Sequence, residues 1–172
     1  MPETFQQCIG VTSITPVRIT VDRGALITLE RVLSAASPAE GCALLLGTAG
    51  RSTHVQQIWP CLNCWPDPPQ RCRRFALDPR EQLQAQRWCR QRGLGVIGVA
   101  HSHPSSAPVP SDLDCQLTLA PALMLIGTPM AAPAVQPQGH DCRWQWAFWW
   151  LDEPAAGSDL SAPMPLPWTM AD

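Results

Sequence analysis

Two histidines, a serine and an aspartate lie close together in one stretch of this chain, at residues 101–114. One residue separates His101 from His103, seven separate His103 from Ser111, and Asp114 comes three positions after Ser111. Two imidazoles and one carboxylate can bind a zinc ion and leave the fourth tetrahedral position to water, which is typical of a catalytic site. A serine hydroxyl can donate a hydrogen bond to the oxyanion formed when an amide is hydrolysed. These residue types therefore indicate metal-assisted amide hydrolysis.

The elements that must position these side chains are a strand and a helix. Residues 95–100 are apolar and rich in β-branched residues, which predicts a buried strand over 95–103. Alternation along the strand places His101 and His103 on the same face. Ser111 is a good N-cap for a helix beginning at 112, and Asp114 lies in its first turn. The three ligands would then converge from two elements joined by one short loop.

Each half of this pattern has an ordinary explanation when it is taken alone. A His-x-His pair is common, and Ser-x-x-Asp is also a capping box that closes a helix N-terminus. The two halves together, at this separation and with Pro104 directly after the second histidine, are much more restrictive. We therefore interpret the combination as a metal site.

The pattern resembles the JAMM motif of the MPN metalloprotease family, His-x-His-x7-Ser-x-x-Asp. The family pattern also includes an upstream glutamate before a strand, and Glu40 supplies it in the segment Glu-Gly-Cys-Ala-Leu-Leu-Leu-Gly at 40–47. The segment departs from the family pattern in the order of the small residues around Cys42. The resemblance covers the chain from about residue 17 to 151. It implies an α/β fold, a three-layer α/β/α sandwich with a mixed sheet, of the cytidine-deaminase-like kind.

The resemblance also implies a role for each residue of the motif. His101, His103 and Asp114 would bind one Zn²⁺ per chain. Glu40 would be the general base for the attacking water and then the acid for the leaving amine. Ser111 would stabilise the oxyanion of the tetrahedral intermediate.

The segment 61–74 occupies the place where the family carries an insertion beside the catalytic cleft. In relatives this insertion helps to hold the extended C-terminal tail of a ubiquitin-like protein, which gains main-chain hydrogen bonds as an added strand. Asn63 and Trp65 are the candidate substrate-binding residues. The alternative is a plain connecting loop.

The resemblance implies a substrate and a partner. The enzyme would be a metallopeptidase that cleaves an amide or isopeptide bond after the C-terminal glycine of a small ubiquitin-like or sulfur-carrier protein with a Gly-Gly tail. One alternative is a non-catalytic MPN scaffold module, although such modules usually lack one or more ligands. Another is a JAMM peptidase that acts on other peptides. An amidohydrolase barrel needs about 250 residues, and this chain has 172.

Length, composition and charge bear on the domain organisation, the possible partners and the location of the protein. We predict an irregular N-terminal arm over 1–16, one catalytic domain over 17–152 and a flexible, proline-rich tail over 153–172. A net charge of −2 gives no basis for nucleic-acid binding. No apolar run reaches the length of a membrane span and no signal sequence is evident, so we expect a cytoplasmic protein.

Two further expectations concern cysteines and helices. The chain has eight cysteines, which we expect to be reduced, and Cys61, Cys64 and Cys72 are interpreted as thiols rather than a second metal site.

A helix over 80–92 is predicted with Leu83 and Trp88 on its apolar side. The other predicted elements are a helix over 22–34 and strands over 17–20, 41–47, 53–60, 123–127 and 143–151.

Overall fold

The computed structural model describes residues 14–130, 144–153 and 162–172. Most of the predicted N-terminal arm, up to residue 13, lies outside the described residues. None of the helices in the described part of the chain is both long and apolar enough to cross a membrane. In chain order the elements are β1 (Arg18–Asp22), α1 (Arg23–Ala36), β2 (Cys42–Thr48), β3 (Ser52–Cys61), a 3-10 turn (Pro68–Cys72), α2 (Pro79–Arg90), β4 (Gly95–Ser102), α3 (Asp112–Leu117), β5 (Ala122–Pro129), β6 (Trp144–Leu151), β7 (Pro163–Leu166) and β8 (Trp168–Ala171).

The described strands form one mixed sheet in the order β7-β6-β5-β4-β2-β3-β1-β8. The pairs β1–β3, β1–β8 and β4–β5 are parallel, and the other neighbours are antiparallel. Helix α1 packs its buried leucines against one face of the sheet, whereas α2 and α3 contribute buried residues to a second cluster on the other face. The three-layer α/β/α arrangement with a mixed sheet is thus confirmed.

The sheet is strongly curled, because its two outer strands are almost continuous in sequence. β7 and β8 stand at opposite ends of the strand order, and Pro167 alone separates them. Since two Cα steps span less than about 8 Å, the two edges must approach each other. The Ile19 amide in β1 donates to the Pro167 carbonyl at 3.1 Å, and the rings of Phe148 in β6 and Trp168 in β8 have centroids 5.9 Å apart.

The predicted flexible tail over 153–172 is therefore wrong for residues 163–171. These residues pair with β6 on one side and β1 on the other, so they complete the hydrogen bonds of both edges. The prolines that suggested a mobile tail, Pro163 and Pro165, lie in an outer strand, where the loss of an N–H is tolerated. Leu166 is buried in the same core cluster as the leucines of α1.

The inward face of α2 also differs from the prediction. Leu83 is 45% exposed, whereas Gln82, Ala85 and Cys89 are buried. These three follow the i, i+3, i+7 spacing of one helix face. The face that meets β2 and β4 is thus lined by Gln82 and by two small residues, Ala85 and Cys89. Trp88 is only partly buried.

Candidate metal centre

His101 and His103 lie at the C-terminal end of β4, a central strand of the sheet. Both are buried, and their Nε2 atoms are 3.1 Å apart. The intervening Ser102 faces the other side, where its Oγ accepts a hydrogen bond from the Gly41 amide at 2.8 Å. The alternation predicted from the sequence is therefore present, and it brings the two imidazoles together.

Asp114 approaches the histidines from the first turn of α3. Ser111 and Asp114 form a capping box, in which each side chain accepts from the backbone N–H of the other residue. One carboxylate oxygen of Asp114 is 3.5 Å from the His101 Nε2, and the other is 3.5 Å from the His103 Nε2. The capping box thus fixes the carboxylate against both imidazoles.

The spacing of these atoms fits a small divalent cation. A tetrahedral zinc with ligand bonds of about 2.0 to 2.1 Å holds neighbouring ligand atoms about 3.3 to 3.4 Å apart. The two Nε2 atoms and the Asp114 oxygens are separated by 3.1 to 3.5 Å. Within the described part of the chain, this is the group of His, Cys, Asp and Glu side chains that could hold a metal ion. Nitrogen and carboxylate oxygen are also ligands that zinc prefers.

The imidazole of His103 is oriented by a backbone carbonyl. Its Nδ1 lies 2.8 Å from the Ala107 oxygen. Because a carbonyl can only accept, Nδ1 carries the proton, and Nε2 of the neutral ring keeps its lone pair for a metal. His101 is held differently: Phe75 stacks on its ring with centroids 4.4 Å apart, and its buried Nδ1 has no hydrogen-bond partner among the described residues.

Burial and charge act together on the ionisation of these ligands. Burial opposes ionisation of Asp114, but the adjacent His101 and His103 and the Ser111 hydroxyl lower the pKa of its carboxyl overall. Burial lowers the pKa of His101, which favours the neutral ring. Burial has the same effect on His103, but hydrogen bonds to Asp114 and Ala107 outweigh it and raise the pKa of that ring. An ionised carboxylate beside imidazoles is the charge state that a cation requires.

Glu40 lies two residues before β2, the strand next to β4, and its carboxyl is electrostatically coupled to His103 and Asp114. β2 runs antiparallel to β4 with Cys42 opposite His101, and the same register two residues further places Glu40 opposite His103. The Ser102 amide donates to the Gly41 carbonyl at 3.0 Å, as this register requires. The Glu40 side chain is 5% exposed. Its burial raises the pKa of the carboxyl to about 8, with His103 lowering it and Asp114 raising it.

The Ser111 hydroxyl lies at the rim of the group. It donates to a carboxylate oxygen of Asp114 at 2.7 Å, and the residue itself is exposed. A hydroxyl has one proton to donate, so stabilising an oxyanion would require it to turn from Asp114 to the substrate. That role stays a prediction.

The side-chain amide of Asn63 contacts the backbone of Glu40. Its Nδ2 donates to the carbonyls of Glu40 at 3.0 Å and Arg74 at 2.8 Å. Its Oδ1 accepts from the amides of Trp65 at 3.0 Å and Ala76 at 3.3 Å. With these bonds, both the nitrogen and the oxygen of the Asn63 side chain have hydrogen-bond partners in or beside the loop that follows β3. Asn63 therefore holds that loop beside Glu40, and a direct contact with substrate stays only a prediction.

Trp65 lies in the same loop and is half-buried. The Arg74 guanidinium lies 5.3 Å from the centroid of its ring, and the Arg71 Nε donates to its carbonyl at 2.8 Å. Its predicted contact with substrate remains to be tested.

Three residues that contact the metal ligands or the loop after His103 were not identified from the sequence. Phe75 stacks on His101, the Ala107 carbonyl orients His103, and the Trp149 indole donates to the Pro108 carbonyl at 2.9 Å in the same loop. The apolar run 75–77 is a signal that could have predicted burial of Phe75, but not its partner. The Ala107 contact is made by a backbone carbonyl, which every residue has, so the sequence carries no signal for it. The Trp149 contact depends on the pairing of β6 with β5.

The cysteines of the described residues are free thiols. Burial raises the pKa of Cys61 to about 12, so this thiol is protonated at neutral pH. Burial also raises the pKa of Cys42, which pairs with Cys61 across β2 and β3. Protonated thiols are poor metal ligands and nucleophiles.

Comparison with known proteins agrees with this geometry. The model of the family described as prokaryotic homologs of the JAB domain matches residues 26–149. A solution structure of protein DSY2949 from Desulfitobacterium hafniense is similar, with a TM-score of 0.69 and 25% sequence identity, over 90% of this chain and 93% of that one.

Two curated relatives also match parts of the chain. A desampylase from Pyrococcus furiosus is 35% identical over 91 residues, which is 53% of this chain and 59% of that protein. The tail tip assembly protein K of Escherichia phage N15 is 28% identical over 119 residues, 66% of this chain and 44% of the phage protein. The alignments thus span about half the length of these relatives.

Proposed function

This chain belongs to the family of prokaryotic JAB-domain homologues, within the JAMM/MPN family, and on that premise we propose that it is a zinc-dependent metallopeptidase. It hydrolyses an amide or isopeptide bond after the C-terminal glycine of a small ubiquitin-like or sulfur-carrier protein. The observation that carries the proposal is the spacing of the ligand atoms of His101, His103 and Asp114, at 3.1 to 3.5 Å. The partial likeness to a desampylase supports the substrate class.

The proposed chemistry divides among the residues of the site. His101, His103 and Asp114 would hold the zinc, which would lower the pKa of a bound water to about 7. Glu40 takes a proton from the attacking water and gives it to the leaving amine. Burial raises the pKa of the Glu40 carboxyl to about 8 in the metal-free protein, and a cation bound beside it would lower that pKa toward neutral pH. The Ser111 hydroxyl donates to the oxyanion as negative charge develops on it.

The surroundings of Glu40 support its role as a proton carrier. The residue is fixed from both sides along the backbone, since its amide donates to the Arg71 carbonyl at 2.7 Å and its carbonyl accepts from Asn63. The position of a general base must be defined within a fraction of an ångström for efficient transfer. The loop after β3 thus supplies the rigidity that the reaction requires.

The test is to load the protein with zinc and incubate it with ubiquitin-fold carriers that bear a C-terminal extension after Gly-Gly. We expect a loss of mass equal to the extension, measured by intact-protein mass spectrometry, and no loss with Glu40→Gln. A matched carrier with Gly-Gly changed to Ala-Ala serves as the substrate control. Cleavage of unrelated short peptides with no cleavage of any carrier would contradict the substrate assignment. Failure of the protein to bind zinc would contradict the metal centre itself.

The second candidate is a role in assembling a phage tail tip. The likeness to tail tip assembly protein K over 66% of this chain is the observation that favours it. A scaffold of this kind would retain zinc in the same group and cleave none of the carriers. Zinc binding without turnover, together with co-purification with tail proteins, would favour this alternative.

A further inference from the structure

The loop 104–110 connects His103 to α3, and it fixes the orientation of a proposed zinc ligand. Within it, the Ala107 carbonyl accepts from Nδ1 of His103 at 2.8 Å. The position of this one oxygen therefore decides where the His103 Nε2 points. Partners of this kind around metal-bound histidines influence metal affinity by about 10- to 100-fold.

The loop is held in place by two neighbouring strands. In β5, the Thr128 Oγ1 donates to the Ser106 carbonyl at 2.8 Å. In β6, the Trp149 Nε1 donates to the Pro108 carbonyl at 2.9 Å, although the two residues are 41 positions apart. These bonds are made to the residues immediately before and after Ala107. They restrain the loop on both sides of the carbonyl that orients His103.

We propose that Trp149 is a positioning residue of the metal centre, acting through Pro108, Ala107 and His103. The proposal rests on the metal centre of the proposed function. The indole N–H keeps the Ala107–Pro108 segment against the sheet, so that the Ala107 oxygen stays within hydrogen-bond distance of Nδ1. Without this bond the loop gains freedom, and the Nε2 lone pair is directed at the metal position for less of the time.

The adjacent residue of the same strand provides a matched control. Trp150 is 1% exposed, and its Nε1 has no hydrogen-bond partner among the described residues. The two side chains lie on opposite faces, since Trp150 packs in the cluster with α1 and Trp149 against the cluster with α2. A change of either residue to Phe removes an indole N–H, but only at Trp149 does this N–H contact the loop.

The experiment compares Trp149→Phe with Trp150→Phe by zinc competition against a chromophoric chelator. We expect Trp149→Phe to weaken zinc binding about 10-fold, whereas Trp150→Phe binds within about twofold of the wild type, even where the cavity it creates lowers stability. Thr128→Val removes the second loop bond at a more exposed position. It should weaken binding in the same direction without a risk of unfolding.

A second measurement tests the proposal without metal. In the metal-free protein, the Nδ1–H proton of His103, followed by NMR, should exchange with solvent faster in Trp149→Phe than in the wild type or Trp150→Phe. If the wild type binds no zinc, the proposed function fails, while this measurement still tests the role of Trp149. Unchanged zinc affinity and unchanged exchange in Trp149→Phe would overturn the proposal, as would equal losses in both tryptophan variants.

Discussion

Asn63 donates its Nδ2 to the backbone carbonyl of Glu40 at 3.0 Å, across 23 positions of sequence. The same amide bonds the loop at Trp65, Arg74 and Ala76. Ala76 directly follows Phe75, the residue that stacks on His101. One half-buried side chain thus links the proposed general base to the loop that supports a proposed metal ligand.

We expect Asn63→Ala to lower kcat about 10- to 100-fold with little change in KM, because a displacement of Glu40 by a fraction of an ångström impairs proton transfer. Stability should fall by about 1 to 3 kcal/mol, since carbonyls in a partly buried loop lose their donor. Zinc content should be unchanged. Steady-state kinetics, urea unfolding and elemental analysis provide the three measurements.

Gln70→Ala in the same loop is the control for Asn63. Gln70 donates to Asp67 at 2.6 Å on the exposed side, so its loss should cost less than about 0.5 kcal/mol and leave kcat unchanged. If Asn63→Ala is less stable but retains the wild-type kcat, Asn63 has a structural role only.

The local part of the site could be predicted from the sequence, because it depends on short-range geometry. Alternation in β4 places His101 and His103 together, and the N-cap position of Ser111 directs Asp114 toward them. Glu40 lies far away in sequence, and only the resemblance indicated it. The register of β2 against β4 supplies the physical reason for its position.

The parts that were missed depend on long-range pairing. The proline-rich composition of 163–171 gave no indication that this segment would join both edges of a curled sheet. Leu83 was expected on the apolar side of its helix, but Gln82, Ala85 and Cys89 are the buried residues of α2 instead. The contacts of Phe75 and Trp149 with the site follow from how the strands and loops assemble. The hydrophobic pattern along the sequence does not specify such long-range contacts.

Glu40→Gln should bind zinc normally and lose about 100- to 10,000-fold in kcat, because the ligands are unchanged and the proton carrier is absent. Zinc content and carrier cleavage measured on the same sample test this. Glu81→Gln is the matched control, since Glu81 accepts from the Trp59 indole at 2.8 Å outside the metal group. Full activity in Glu40→Gln would remove Glu40 from the mechanism.

The stability of the metal-free protein should depend on pH through Glu40. Burial raises the pKa of this carboxyl from 4.5 to about 8, so between these values the folded state binds more protons than the unfolded state. Its contribution to stability is therefore present below pH 4.5 and is lost as the pH rises through 8. Urea unfolding in EDTA should show the wild type losing up to a few kcal/mol relative to Glu40→Gln between pH 5 and 8. Parallel pH profiles would contradict a buried, protonated Glu40.

His103→Ala should lose both zinc and activity, because one of the proposed ligands is absent. In the wild type, zinc at 100 times its Kd should stabilise the fold by about 2.7 kcal/mol, and in the variant it should have no effect. His54→Ala is the matched control, since His54 lies 2.6 Å from Asp22 and is not part of the metal group. Zinc-dependent shifts in the unfolding midpoint separate the two variants. An equal response to zinc in both would contradict the assignment of His103.

Ser111 has two proposed tasks, and two substitutions can separate them. Its hydroxyl caps α3 and contacts Asp114, and it is also the proposed donor to the oxyanion. Ser111→Ala removes both and should cost about 1 kcal/mol of stability. Ser111→Gly also lacks the hydroxyl, but glycine is a tolerated N-cap, so the loss should be only a few tenths of a kcal/mol. If the hydroxyl acts on the transition state, both variants lose about 100- to 1,000-fold in kcat. A Gly variant with near wild-type kcat would instead assign Ser111 to the helix cap, because only the capping function survives that substitution.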